Sequence, residues 1–270
     1  MPDESLPDFA SVPAGSFVMG SDAGAADERP EHTVHLDAFR IGVSHVTQAQ
    51  YARFVRETRH RAPAVDDLPV VVRAGGLDRE QAFRALGNAY AWIGSEPPPN
   101  LRDHPVTLVR WEDADAYCQW LKGIMGRTVR LPTEAEWEKA ARGGLERERY
   151  PWGDRLDVGH ANFLHDPALK MRHGTRACRS YAPNGYGLYD MSGNAWEWVQ
   201  DWYDPAYYAS SPRANPPGPA TGQFRIVRGG GWLSTDAGML TCSHRHQVPP
   251  DTYSYGIGFR VAYSGIDAAI

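Results

Sequence analysis

Two stretches of the chain carry residue types and spacings that could do chemistry. In Asn184–Asp201, Asp190 and Glu197 bracket a tight loop with Gly193 between them. Glycine adopts positive φ at little cost. A chain folding back at Gly193 can therefore bring both carboxylates and the intervening backbone carbonyls onto one centre. Mixed carboxylate and carbonyl oxygens suit a hard cation such as Ca²⁺. The same two acids could instead pair with arginines or cap backbone groups. The second stretch is Cys242-Ser243-His244-Arg245-His246, at the end of a strand expected over Leu240–His246. A period of 2 puts Cys242, His244 and His246 on one face, each step roughly 6.6 Å. Neighbouring histidines on that face could share a metal completed by a carboxylate from elsewhere. Cys242 and His246, roughly 13 Å apart by the same arithmetic, would need strong curvature to join. Alternatively, one histidine packs and the other is solvated.

These residues need positioning elements. Asn184-Gly185 is a turn dipeptide, and Trp196 and Trp198 alternate with Glu197, so on an extended segment the two rings share a face. Thr47 with Gln50, and Thr133 with Glu136, have the spacing of capping boxes that start helices. Tyr51, Phe54 and Val55 give the first helix an apolar face; Trp137, Ala140 and Ala141 do so for the second. Between them, Glu112–Met125 keeps a 3, 4, 7 apolar spacing through Ala114, Tyr117, Cys118, Leu121 and Ile124 and stops at Gly126. Cys118 thus reads as a core thiol rather than a nucleophile. Strands are expected at residues 12–20 with a break at Ala14-Gly15, near Val34 to Ile41, and at Val70–Val72, Pro105–Val109, Arg225–Arg228 and Gly258–Ala262. Residues 58–105 read as an insertion or a groove wall.

The totals narrow the class. The chain has 270 residues and a formal charge of -5, with its Lys and Arg dispersed, so a nucleic-acid footprint is not expected. Gly (27) and Pro (21) are abundant, which predicts many turns and little regular structure. The 9 Trp, 13 Tyr and 8 Phe supply the large rings that exclude water from such a backbone. No run approaches the roughly 18 apolar residues of a membrane span. Met1-Pro2-Asp3-Glu4-Ser5 lacks a signal-like core, and three cysteines do not suggest a disulfide framework. A cytoplasmic protein is expected.

Five blocks occur in one order: Phe17-Val18-Met19-Gly20, Arg130 to Glu138 (RLPTEAEWE), Gly193 to Trp198 (GNAWEW), Val227 to Trp232 (VRGGGW) and Gly258 to Val261 (GFRV). Together they resemble the formylglycine-generating enzyme, or sulfatase-modifying-factor, family from about Val12 to Tyr263. The resemblance implies an α+β, loop-rich fold related to C-type lectins. It implies one domain over residues 12–264, between short tails at 1–11 and 265–270. It also implies a structural Ca²⁺ held by Asp190, Gly193, Ala195 and Glu197, with Gly193 and Ala195 acting through backbone oxygen. A second family Ca²⁺ would use Asn162 and Phe163, but Lys170 and Arg172 stand where its other ligands would lie and argue against it.

The family's active enzymes oxidise a substrate cysteine with O₂ and Cu(I) held by two thiolates, the soft ligands such copper prefers. The first thiolate position matches Ser234, and the second falls within Ala237-Gly238-Met239. Neither is cysteine, so formylglycine generation is not expected. The segment Cys242–His246 falls on the family's substrate groove, where Arg245 could bind an anionic or carbonyl group. Two functions follow from the resemblance. One is a divergent oxidoreductase using O₂ and a redox metal (Fe or Cu) on a peptide or small metabolite, with Ser234, Cys242, His244, Arg245 and His246 as its catalytic group. The other is a non-catalytic, calcium-stabilised lectin-like module that binds a peptide or small molecule.

Overall fold

The computed structural model describes residues 5–66, 68–69, 76–166 and 174–265. The expected strand at Val70–Val72, and Lys170 and Arg172, lie outside them. Helix α1 (Gln48–Thr58) starts where its capping box places it: the Gln50 N–H donates to Thr47 Oγ1 at 3.2 Å, and the Thr47 N–H to Gln50 Oε1 at 3.0 Å. Helix α2 spans Gly76–Gly87. Helix α3 (Trp111–Met125) buries Ala114, Tyr117, Cys118 and Leu121 and ends on Gly126 in the left-handed conformation, while Ile124 turns out to solvent.

Three sheets arise from short strands. β1 (Phe9–Val12), β4 (Phe39–Gly42), β10 (Ala262–Ser264) and β5 (Val129–Arg130) form one antiparallel sheet in the order β1-β4-β10-β5. Residues 9–11, expected in a tail, are therefore an edge strand. β2 (Gly15–Met19) pairs with β3 (His32–Leu36). The third sheet has the order β8 (His246–Val248), β7 (Arg225–Arg228), β6 (Trp196–Trp202), β9 (Ile257–Phe259), with β9 parallel to β6. The single closing strand expected at Gly258–Ala262 is two strands in two sheets, and Arg260 sits at the crossover. Pro105–Val109 is not a strand; Leu108 has φ 60° and its N–H bonds to Ser254 O.

β6 divides the interior. Trp196 and Trp198 face a core shared with α1 and α3, whereas Glu197 and Val199 face a second core against α4 (Glu134–Arg142). α4 is rich in charge yet buried along its whole length. Its acids are paired: Glu138 takes Arg142 and Arg228, each at 2.7 Å, and Glu134 takes Arg228 and Arg245. A buried ion needs partners of this kind to offset its lost hydration. A third core, from Val65, Leu68, Phe83, Tyr90, Trp232 and Tyr253, joins residues 58–105 to the C-terminal loops. Tyr90 stacks on both Trp232 and Tyr255, so this region packs against those two rings.

Candidate functional site

Successive residues of β6 serve two sites. Glu197 points into a buried polar knot, and Trp196 lines an open groove.

In the knot, the turn at Gly193 works as its spacing requires. Gly193 has φ 80°, and a Cβ there would meet Asn162 O at 2.6 Å. Asp190 and Asn194 also take positive φ, at 55° and 66°. The turn gathers Asp190, Ala195 and Glu197 around one centre, and a side chain from outside the stretch occupies it. His45 Nε2–H donates to Ala195 O at 3.0 Å and lies 3.3 Å from Glu197 Oε1. Glu197 itself accepts from Arg260 at 2.6 and 2.7 Å and from Trp137 Nε1 at 2.8 Å. Burial alone would raise the Glu197 pKa, but Arg260, His45 and these hydrogen bonds hold it below the ordinary carboxylate value. Asp190 accepts the Arg179 N–H at 2.8 Å, yet burial keeps its pKa raised.

This arrangement sets nitrogen donors against the expected Ca²⁺ ligands. Two of its four expected ligands, Ala195 O and the Glu197 carboxylate, are engaged by nitrogen donors, and Arg260 already balances the Glu197 charge. Asn162 donates to Gly174 O and Asn194 Oδ1, and its Oδ1 is buried without a hydrogen-bond partner among the described residues. Sequence reasoning left His45, Cys178 and Arg260 without a part in this site. In the structure an imidazole nitrogen of His45, Cys178 Sγ and an oxygen of Asp190 lie within 4.8 Å of one another. Burial pushes the Cys178 thiol pKa well up. No spacing in the sequence signals this group, because its members come from three separate segments.

The groove is a cavity of about 270 Å³ walled by Trp196, Trp232, Tyr255 and Ile257. Ser234 and Met239 both open onto it. The Ser234 hydroxyl accepts the Gly231 N–H at 3.0 Å. His246 stands at its edge, its ring 5.2 Å from that of Trp196, with its pKa lowered by burial.

The other candidates from Cys242–His246 are corrected by their surroundings. The segment up to Arg245 is turn and loop, and β8 begins only at His246, so Cys242, His244 and His246 do not share a strand face. Cys242 is core-packed, its thiol pushed up to about 12 by burial, which makes it a poor nucleophile. Arg245 is held by Glu134 at 2.7 and 2.9 Å and lies over the Tyr208 ring, so it has no face toward the groove. His244 packs 5.8 Å from Trp196 and opens onto a different cavity of about 600 Å³, with Nδ1 3.7 Å from Glu28 Oε1. The two histidines thus serve separate cavities. Among the described residues, the convergent His/Cys/acid cluster is at His45, not here. No described helix is long and apolar enough to cross a membrane.

Comparison with known proteins agrees with this architecture. Residues 1–264 match the family described as Sulfatase-modifying factor enzyme 1-like domain. The formylglycine-generating enzyme of Streptomyces coelicolor is 38% identical, over 93% of this chain and 87% of that protein. The Inactive C-alpha-formylglycine-generating enzyme 2 of Mus musculus is 33% identical, over 96% of this chain and 86% of that one. The solved structure of PvdO from Pseudomonas aeruginosa superposes with a TM-score of 0.75 at 26% identity, covering 95% of this chain and 94% of that one. With its shared fold, its five motif blocks and a family match reaching from end to end of the described domain, this chain belongs to the sulfatase-modifying-factor, or formylglycine-generating enzyme, family.

Proposed function

We propose that this protein binds a peptide or small molecule in the groove between Trp196, Trp232 and Tyr255 and does not generate formylglycine. The observation that carries this reading is that Ser234, at the first position where the resemblance expects a thiolate, and Met239, in the Ala237–Met239 stretch where it expects the second, line one cavity. A hydroxyl and a thioether do not make the bis-thiolate site that Cu(I) requires. The remaining lining suits recognition: aromatic rings for apolar contact, Ser254 for polar contact, and His246 at the rim. The rings are braced from behind by Tyr90, and a rigid groove loses little entropy on binding.

A second reading, an oxidoreductase using O₂, has support from His246 at the groove edge. One experiment separates the two. Peptides panned from a displayed library on the purified protein are titrated by tryptophan fluorescence, then incubated aerobically with it under an oxygen electrode and analysed by mass. Saturable binding that Trp232→Ala weakens, with peptide mass unchanged and no oxygen consumed, is expected. An aldehyde or any other oxidised product, formed with oxygen uptake, would overturn the binding reading in favour of the enzyme.

A further inference from the structure

We propose that His45, Cys178 and Asp190 form a site for a thiophilic divalent transition metal of the zinc class. Their ligand atoms already lie within 4.8 Å of one another. A tetrahedral zinc with bonds of about 2.0–2.3 Å sets its ligands about 3.3–3.8 Å apart, so closure needs shifts of only about 1 Å. His45 is prepared as a ligand. It is 1% exposed, its Nε2–H is committed to Ala195 O at 3.0 Å, and its Nδ1 is buried with no hydrogen-bond partner among the described residues. A metal-binding imidazole characteristically donates its other N–H to a carbonyl or carboxylate in this way, which fixes the tautomer. Cys178 Sγ has only a weak 3.9 Å contact to His45 O to lose. Asp190 is anchored through Oδ2 to the Arg179 N–H.

The donor set decides which ion. Sulfur and imidazole with one carboxylate favour zinc-class metals over Ca²⁺, which takes oxygen ligands. Charge decides it again. A thiolate and the Asp190 carboxylate sum to two negative charges, while Glu197 beside them is already neutralised by Arg260. A divalent ion balances the remainder in a site that water solvates poorly. Three protein ligands leave a fourth position for water. Cys178 is partly exposed as a residue, which gives the metal an approach.

The test uses the full chain, purified without chelators or a metal-affinity tag. Elemental analysis is expected to find about one zinc per chain, with affinity falling roughly tenfold or more in Cys178→Ser. Co²⁺ added to the metal-free protein is expected to give a thiolate charge-transfer band in the near ultraviolet. Zinc, but not Ca²⁺, is expected to protect Cys178 from alkylation mapped by mass spectrometry. That measurement needs no variant and survives if Cys178→Ser fails to fold. Co²⁺ binding without the thiolate band, Cys178 alkylation unaffected by zinc, or retained Ca²⁺ that Cys178→Ser leaves unchanged would each overturn the proposal.

Discussion

Replacing Arg260 with methionine tests whether the knot on Glu197 holds the two halves of the molecule together. Methionine keeps much of the volume and removes the charge. Arg260 is fully buried and bonds Glu197 at 2.6 and 2.7 Å, Gly42 O at 2.9 Å and Tyr189 O at 3.0 Å. The variant therefore leaves a buried carboxylate without its counter-ion and two carbonyls short of a donor. Breaking a buried pair from one side costs about 3–5 kcal/mol. The carbonyls push the value toward the upper end, since each group left unsatisfied costs about 1–3 kcal/mol. For a domain of this size that lowers Tm by roughly 6–15 °C. Glu197→Gln leaves the opposite charge stranded and is expected to cost a similar amount. The double variant removes both charges, so its loss falls short of the sum by about 1–3 kcal/mol. Calorimetry of the four proteins at pH 7 measures this cycle. A methionine variant within about 1 kcal/mol of wild type, or strict additivity in the double variant, would show that Glu197 does not depend on Arg260.

Two further outcomes follow from the same structure. Glu28 is held at about 2: burial alone would raise it, but the His244 ring, the Ser243 hydroxyl and the Ala25 N–H bring it down from 4.5. A depressed carboxylate stabilises the fold above its unfolded pKa and loses that contribution as pH falls through the folded one. Between pH 4.5 and 2 the wild type should therefore lose about 1–2 kcal/mol more than Glu28→Gln, after allowance for screening at the cavity mouth, in denaturant titrations across that window. Gly193→Ala meets both a φ of 80° and the Asn162 carbonyl at 2.6 Å, and should cost about 3 kcal/mol by thermal denaturation.

Much of the fold was legible because its signals are local. The capping boxes at Thr47 and Thr133 set helix starts through side chains three residues apart, and the structure holds both. The alternation of Trp196, Glu197 and Trp198 gave the two faces of β6 correctly, since strand period depends on the backbone alone. Apolar runs misled where burial comes without pairing. Pro105–Val109 is buried but takes a left-handed turn at Leu108, and Leu240–Arg245 winds through turns before β8. A strand is defined by a partner that the run itself does not specify.

The sequence alone determined the family, the presence of Ser234 with no cysteine in Ala237–Met239, and the return of the chain at Gly193, because each is written in residue identity or in neighbours a few positions apart. Only the tertiary structure decided what stands at the centre of that return. His45 reaches Ala195 across 150 positions and Arg260 reaches Glu197 across 63, and no periodicity relates them. It also set His244 and His246 in separate cavities and turned Cys178 inward beside His45. Which charges and ligands meet is fixed by the packing of distant segments, where desolvation makes each buried charge depend on whichever partner the fold delivers.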